Sequence, residues 1–254
     1  MVRRAVLALL VGAIAFAGAA CSAISSGDGQ RAQEILQAAT AAQANVESLS
    51  FGLRVWGEAQ GQSLQLKMDG GGYVKGERAG DFFMRGSMET PGVPRTGFQL
   101  VVRNGRTFAE FAGLWQELPA TQASSAQDAE LEQRLAGFDI TRYVTDVEVT
   151  DGTTFLGEPV TKIVGVIDTA ALFDSFVGQL GDLSTLGGDS LTSEVSRHLG
   201  DTRAVLYVSD ETHLLRAALV TIAFEDDQGL PVELHLDFAV RSVNESVEIP
   251  RPPV

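Results

Sequence analysis

Reactive side chains are few in this sequence, and most are spaced against chemistry. The three histidines, His198, His213 and His235, are scattered, no HExxH pair occurs and there is one cysteine, so neither a structural zinc site nor a disulfide can be assembled. No Gly-x-Ser-x-Gly elbow is present; Gly188-Asp189-Ser190 is ordinary loop composition, and acyl transfer has no visible nucleophile and base. Asp226-Asp227 and the Asp146, Glu148, Asp151 group offer carboxylates for calcium or for acid and base work. Neither has the Asp-x-Asp-x-Asp-Gly spacing of a calcium loop, and both fall where turns or solvated strand faces are expected. Gly70-Gly71-Gly72 lacks the lysine and following helix of a phosphate loop and reads as a tight turn or bulge. These patterns imply no catalytic residues, no metal ligands and no cofactor. The remaining reactive group is Cys21, a thiol placed outside any core the chain could build.

Cys21 stands at the end of an export signal. Arg3 and Arg4 precede an uncharged apolar run, Ala5 to Ala20, that closes on Gly18-Ala19-Ala20. The run is shorter than the roughly 20 residues that span a bilayer, and Ser22 to Gln30 is small, polar and flexible, so a cleaved leader is the better reading than a membrane span. Gly-Ala-Ala-Cys resembles the bacterial lipobox, with Gly18 departing from its usual Leu, Val or Ile. That resemblance implies a diacylglycerol on the Cys21 thiol, and acyl chains worth ~0.8 kcal/mol per buried methylene make such an anchor effectively permanent. The expected organisation is a signal peptide over 1–20, an acylated tether over 21–30 and a folded domain over 31–254, held at the outer face of the cell membrane.

Charge narrows the partners. The chain has 19 Lys and Arg against 33 Asp and Glu, a formal net charge of −14, and losing Arg3 and Arg4 with the leader makes it more acidic still. Such a body repels phosphate backbones and anionic lipid headgroups, which disfavours nucleic acid and electrostatic docking to a membrane. A hydrophobic fraction of 44% is ample for a core.

Periodicity supplies the elements. Gln30 to Leu49 carries Ile35, Leu36, Ala39, Ala42, Val46 and Leu49 at helical spacing. Alternation then takes over: Phe51, Leu53 and Val55; Leu64, Leu66 and Met68; Phe82, Met84 and Met88; Phe98, Leu100 and Val102, with turns between them. Asn104-Gly105 is the sharpest turn signal, since a mirror-type two-residue loop needs positive φ at both positions. A short helix fits Asp128 to Phe138, strands fit Val144 to Thr150 and Val160 to Ile167, and a second helix fits Asp168 to Leu180, whose stripe includes Leu172 and Phe176. Gly181 to Gly200 reads as a loop with a short helix, a segment placed to act as a lid. Arg203 to Ser209, Leu214 to Glu225 and Val232 to Val243 alternate strongly, and the prolines after them cannot continue a ladder. The sum is an α+β domain: one large curved antiparallel sheet of about ten strands, a half-barrel, with helices packed on its concave side.

In order and spacing the whole mature chain resembles the actinobacterial LppX/LprG-type lipoproteins, whose half-barrel is similar to the LolA and LolB carriers. The residues behind the resemblance are the lipobox cysteine and tether, the opening helix running into Leu49-Ser50-Phe51, and Val101-Val102-Arg103-Asn104-Gly105 followed by Leu114-Trp115. Gly157-Glu158-Pro159 leading into Val160 to Ile167, Thr202 to Ser209, Leu214 to Ala218 and a last strand running into Val247 to Pro253 complete it. The resemblance implies a non-enzymatic carrier that holds the acyl chains of a lipid or glycolipid between sheet and helices and exchanges them with the membrane and a membrane transporter. Lifting about 30 methylenes out of a bilayer forfeits ~24 kcal/mol at ~0.8 each, so a carrier must offer an equally dry apolar pocket. Phe51, Leu53, Val55, Leu64, Leu66, Met68, Phe82, Met84, Phe98, Leu100, Val102, Leu172 and Phe176 are its candidate lining, the methionines adapting to varied chains. The other reading of the same alternation is a closed core, which would make the chain an envelope module that binds or assembles proteins.

Overall fold

Strands form at every described run whose residues alternate, and at one more. In the computed structural model the described residues are 27–59, 62–90, 92–118, 144–168, 199–225 and 231–253. Helix α1 (Gly27–Gln43) is followed by β1 (Ser48–Ala59), β2 (Gln62–Tyr73), β3 (Phe82–Thr90), β4 (Val93–Arg103), β5 (Arg106–Phe111), β6 (Leu114–Leu118), β7 (Val144–Phe155), β8 (Glu158–Ile167), β9 (Leu199–Ser209), β10 (Leu215–Glu225) and β11 (Pro231–Val243). The strands form one antiparallel sheet in the order β6-β5-β4-β3-β2-β1-β11-β10-β9-β8-β7, whose ends are β6 and β7, so it does not close on itself. The stretches expected to be helical over 128–138 and 168–180, Asp168 excepted, and the expected lid over 181–200 lie outside the described residues, save that Leu199 and Gly200 open β9.

Three local differences from the sequence reading have physical causes. The helix starts earlier and stops at Gln43; Leu49 belongs to β1, because ladder pairing of Ser48 and Leu49 with Tyr73 and Gly72 outweighs helical spacing. Gly70-Gly71-Gly72 is neither turn nor bulge: the triplet runs in unbroken register against Phe51, Ser50 and Leu49. β6 is the additional strand. Its hairpin turns on Ala112-Gly113 with φ of 53° and 83°, the same backbone as Asn104-Gly105 at 50° and 74°, but with alanine where the usual signal is asparagine.

The strands and α1 fall into two units. In the first, α1 packs on β7 and β9 through Ala32, Leu36 and Ala39, one helical face at i, i+4 and i+7. Arg31 pairs with Asp151 and Thr161 donates to Asp210 at 2.7 Å. The Arg31 guanidinium, by hydrogen bond and charge, holds the Asp151 carboxyl below its ordinary range. On β8, Thr161, Ile163, Gly165 and Ile167 stand in register with Val208, Leu206, Ala204 and Thr202 of β9, and these with Leu215, Ala218, Val220 and Ile222 of β10. All but Ile222 are buried. The other face of β8 also buries Val160 and Val164, which is why its sequence alternates poorly.

The second unit holds β1 to β6 with residues 234–253. Here the C-terminal segment after β11 covers part of one sheet face: Val247 and Ile249 cluster with Val101 against Tyr73, Phe83 and Trp115. The Tyr73 hydroxyl bridges the Val247 backbone, accepting from its N–H at 3.0 Å and donating to its carbonyl at 3.1 Å.

Candidate functional site

Residues opposite one another in an antiparallel ladder share a face, so register decides which candidates meet. Four rungs cross the second unit. The first is Leu49, Gly72, Phe82, Val102 and Thr107; the second is Phe51, Gly70, Met84, Leu100 and Ala109. The third is Leu53, Met68, Gly86, Phe98, Phe111 and Leu114; the fourth is Val55, Leu66, Met88 and Thr96. Phe51, Leu53, Val55, Leu66, Met68, Phe82, Met84, Phe98, Leu100 and Val102 therefore all stand on one face. Leu64 pairs with Gly57 in the same ladder and its side chain is not among those described; Leu172, Phe176 and Cys21 lie outside the described residues.

Burial along this face is graded. Phe51, Leu100 and Val102, in the first two rungs, are buried, Val102 at 1% exposure. In the third and fourth rungs no residue is buried: Leu53, Met68, Phe98, Val55 and Leu66 are half-buried, Met88 is exposed, and Phe111 and Leu114 reach 62% and 78%. The exposed pair flanks the β5–β6 turn. The face is thus mostly apolar, with its buried side chains confined to the first two rungs, where Leu49, Phe82 and Met84 are half-buried, and its exposed ones at the other end.

Two glycines shape it. A Cβ on Gly70 would stand 2.9 Å from the Phe51 ring, and one on Gly86 would stand 2.7 Å from the Phe98 ring and 2.8 Å from Met68 Cγ. Each glycine is a notch into which a neighbouring aromatic side chain folds, which leaves the face continuous.

Sequence reasoning left out Phe111, Leu114 and Phe238. Phe238 meets Phe51 with ring centroids 5.9 Å apart. The alternation of β11 carries the signal for Phe238, whereas Leu114 belongs to the strand whose turn was not recognised.

Between the second and fourth rungs the opposite face of the same strands is polar, beyond the part around Val101 and Phe83 that the C-terminal segment covers. Gly52, Asp69 and Arg85 are in register, as are Arg54, Lys67 and Ser87. These residues line an open groove of about 560 Å³ together with Arg95, Asp237, Ala239 and Arg241, and with Leu53, Met68 and Gly86 of the third rung. Arg85 pairs with Asp69 at 2.8 Å, and Arg54 lies over the Trp56 ring, which stacks on His235. Partial burial pushes the Asp237 carboxyl up, with Arg54 and His235 pulling it back.

Asp146 sits at positive φ at an irregularity of β7, Asp151 is engaged by Arg31 and Thr161, and Asp226-Asp227 lies outside the described residues. His213 is in a turn and exposed, and His198 lies outside the described residues. Among the described residues no three His, Cys, Asp or Glu side chains are grouped to hold a metal ion, and no helix is long and apolar enough to cross a membrane.

No family model matches the sequence, and no curated protein matches it. Among solved structures the chain is similar to LprF from Mycobacterium bovis, at 19% identity over 88% of this chain and 97% of that one, with a TM-score of 0.49. It is also similar to the lipoprotein LppX from Mycobacterium tuberculosis, at 14% identity over 85% and 97%, with a TM-score of 0.47. Both bear names of the group that the sequence resembles. At these identities and TM-scores the likeness transfers no ligand, partner or activity.

Proposed function

We propose that this chain is an extracytoplasmic lipoprotein, anchored through Cys21, that binds the acyl chains of a lipid or glycolipid on the apolar face of β1 to β6 and carries them to and from the membrane. The observation that supports the reading is the graded face: four rungs of Phe, Leu, Met and Val, buried at one end and accessible at the other. A monomeric core gains by burying such side chains fully, at roughly 25 cal/mol per Å² of apolar surface, so a face left half-buried across two rungs favours an apolar occupant. Unbranched Met68, Met84 and Met88 adapt to chains of differing length and unsaturation.

The test is native mass spectrometry with organic extraction of the chain produced in an actinobacterial host. A bound mass that extracts as lipid is expected. Leu66→Arg, which sets a charge on the fourth rung, is expected to empty the face while the protein stays folded. An apo mass for the native chain, or equal occupancy in the variant, would overturn the reading and favour a protein-binding module.

A further inference from the structure

The polar groove behind the open rungs is out of character for so acidic a chain. Five cations, Arg54, Lys67, Arg85, Arg95 and Arg241, line it with two acids, Asp69 and Asp237. The molecule as a whole has a formal net charge of −14, so a local excess of three positive charges marks this patch off. All five cations are exposed. Arg85 is engaged by Asp69, whereas Lys67, Arg95 and Arg241 have no ion-pair partner among the described residues.

The depression itself comes from small residues. Gly52, Ser87 and Ala239 supply its low floor, and the Arg241 guanidinium lies across Gly52, with Nη2 2.9 Å from where a Cβ would stand. The Val247 and Ile249 segment covers the same sheet face only around Val101 and Phe83, and leaves the groove open. We propose that this groove is a docking surface for the phosphodiester headgroups of an anionic bilayer.

Two features favour a bilayer over a small soluble anion. The cations come from β1, β2, β3, β4 and β11, and strands about 4.8 Å apart spread them over roughly 20 Å, further than one phosphate spans. They are also exposed and solvated, as suits a field acting within a Debye length of a negative surface, whereas a small-anion site buries its donors. The acidic remainder of the chain is repelled by the same surface, so attraction confined to one face orients the molecule. The proposal does not depend on the cargo reading, because acyl chains and headgroups are recognised on opposite faces.

The experiment is partition of the full chain between vesicles of phosphatidylcholine alone and vesicles containing 30% phosphatidylglycerol, at low and high salt. The N-terminal segment, with Arg3 and Arg4 beside its apolar run, adds to the anionic preference but is common to the native chain and every variant, so it cancels when variants are compared with the native chain. At about fivefold per basic side chain near the surface, the ratio is expected to exceed tenfold at low salt and to approach one at 0.5 M salt. Lys67→Glu is expected to lower it about tenfold or more, and Arg203→Glu, an equal change in net charge at an exposed side chain of β9, to leave it nearly unchanged. Lys67→Gln, with half the charge change, should give an intermediate ratio, and thermal unfolding shows whether each variant is folded. Equal effects of Lys67→Glu and Arg203→Glu would reduce the preference to net charge and overturn the proposal. So would loss of the preference on adding millimolar inorganic phosphate at constant ionic strength, which would mark a small-anion site.

Discussion

Across β8, β9 and β10 every residue of the apolar face except Ile222 is buried, whereas across β1 to β6 burial stops after the second rung. The closed face is made of Ile, Val, Thr, Ala, Gly and two Leu, mostly short or β-branched side chains and without Phe or Met. The graded face shares Leu, Val and Thr with it but adds Phe and Met and is interrupted by Gly70, Gly72 and Gly86. Period-two alternation is the same in both. Side-chain shape, not pattern, separates a face that is filled from one that remains accessible.

The largest test of that difference is a pair of truncations. Ile163→Ala on the closed face is expected to cost about 2–5 kcal/mol of unfolding free energy, since the transfer loss is joined by a cavity. Leu66→Ala on the fourth rung, already half-buried, is expected to cost about 1 kcal/mol. Urea unfolding of both variants decides it. Equal costs would mean that the graded face is a closed core after all.

A smaller effect is expected at the notches. Gly86→Val would drive a side chain against the Lys67 carbonyl oxygen, 2.6 Å from the Cβ position, and into the Phe98 ring; backbone cannot yield, so a loss of about 1–3 kcal/mol is expected by thermal unfolding. Gly97→Ala is its control. The nearest atom to a Cβ there is 3.8 Å away, and the substitution should be neutral or raise stability by about 0.4–1 kcal/mol through the unfolded chain. If both variants behave alike, the notch has no role in shaping the face.

Much of this face was legible before any coordinates. Alternation from Phe51 to Val102 places its candidates on alternate positions, and Asn104-Gly105 sets the register of β4 on β5. Two things were not legible. Ala112-Gly113 and Leu156-Gly157 take the same left-handed pair of φ values without asparagine, so β6 and its exposed Leu114 carried no turn signal. The groove could not be foreseen either. Arg54, Lys67 and Arg85 are charges on the solvent side of separate strands, and a sequence that is acidic overall hides a local excess created only by lateral pairing.

The smallest expected effect sets one carboxylate of each unit against the other. Asp151 is held low by Arg31, so it contributes stability that is present above its unfolded value of about 3.9 and is lost as pH falls through its folded value. Asp237 is pushed up by burial, with Arg54 and His235 opposing, so its sign is reversed: its contribution is full below about pH 3.9 and is lost as pH rises through its folded value. Asp151→Asn should therefore lower Tm most at neutral pH and converge on the native chain in acid. Asp237→Asn should instead match or exceed the native Tm at neutral pH and lose that advantage in acid. Tm measured for both variants between pH 3 and 7 checks the crossing. Curves of the same sign would show that the groove, despite its acids, stabilises a carboxylate through its cations as strongly as Arg31 does, and would make it a tighter anion site than its exposure suggests.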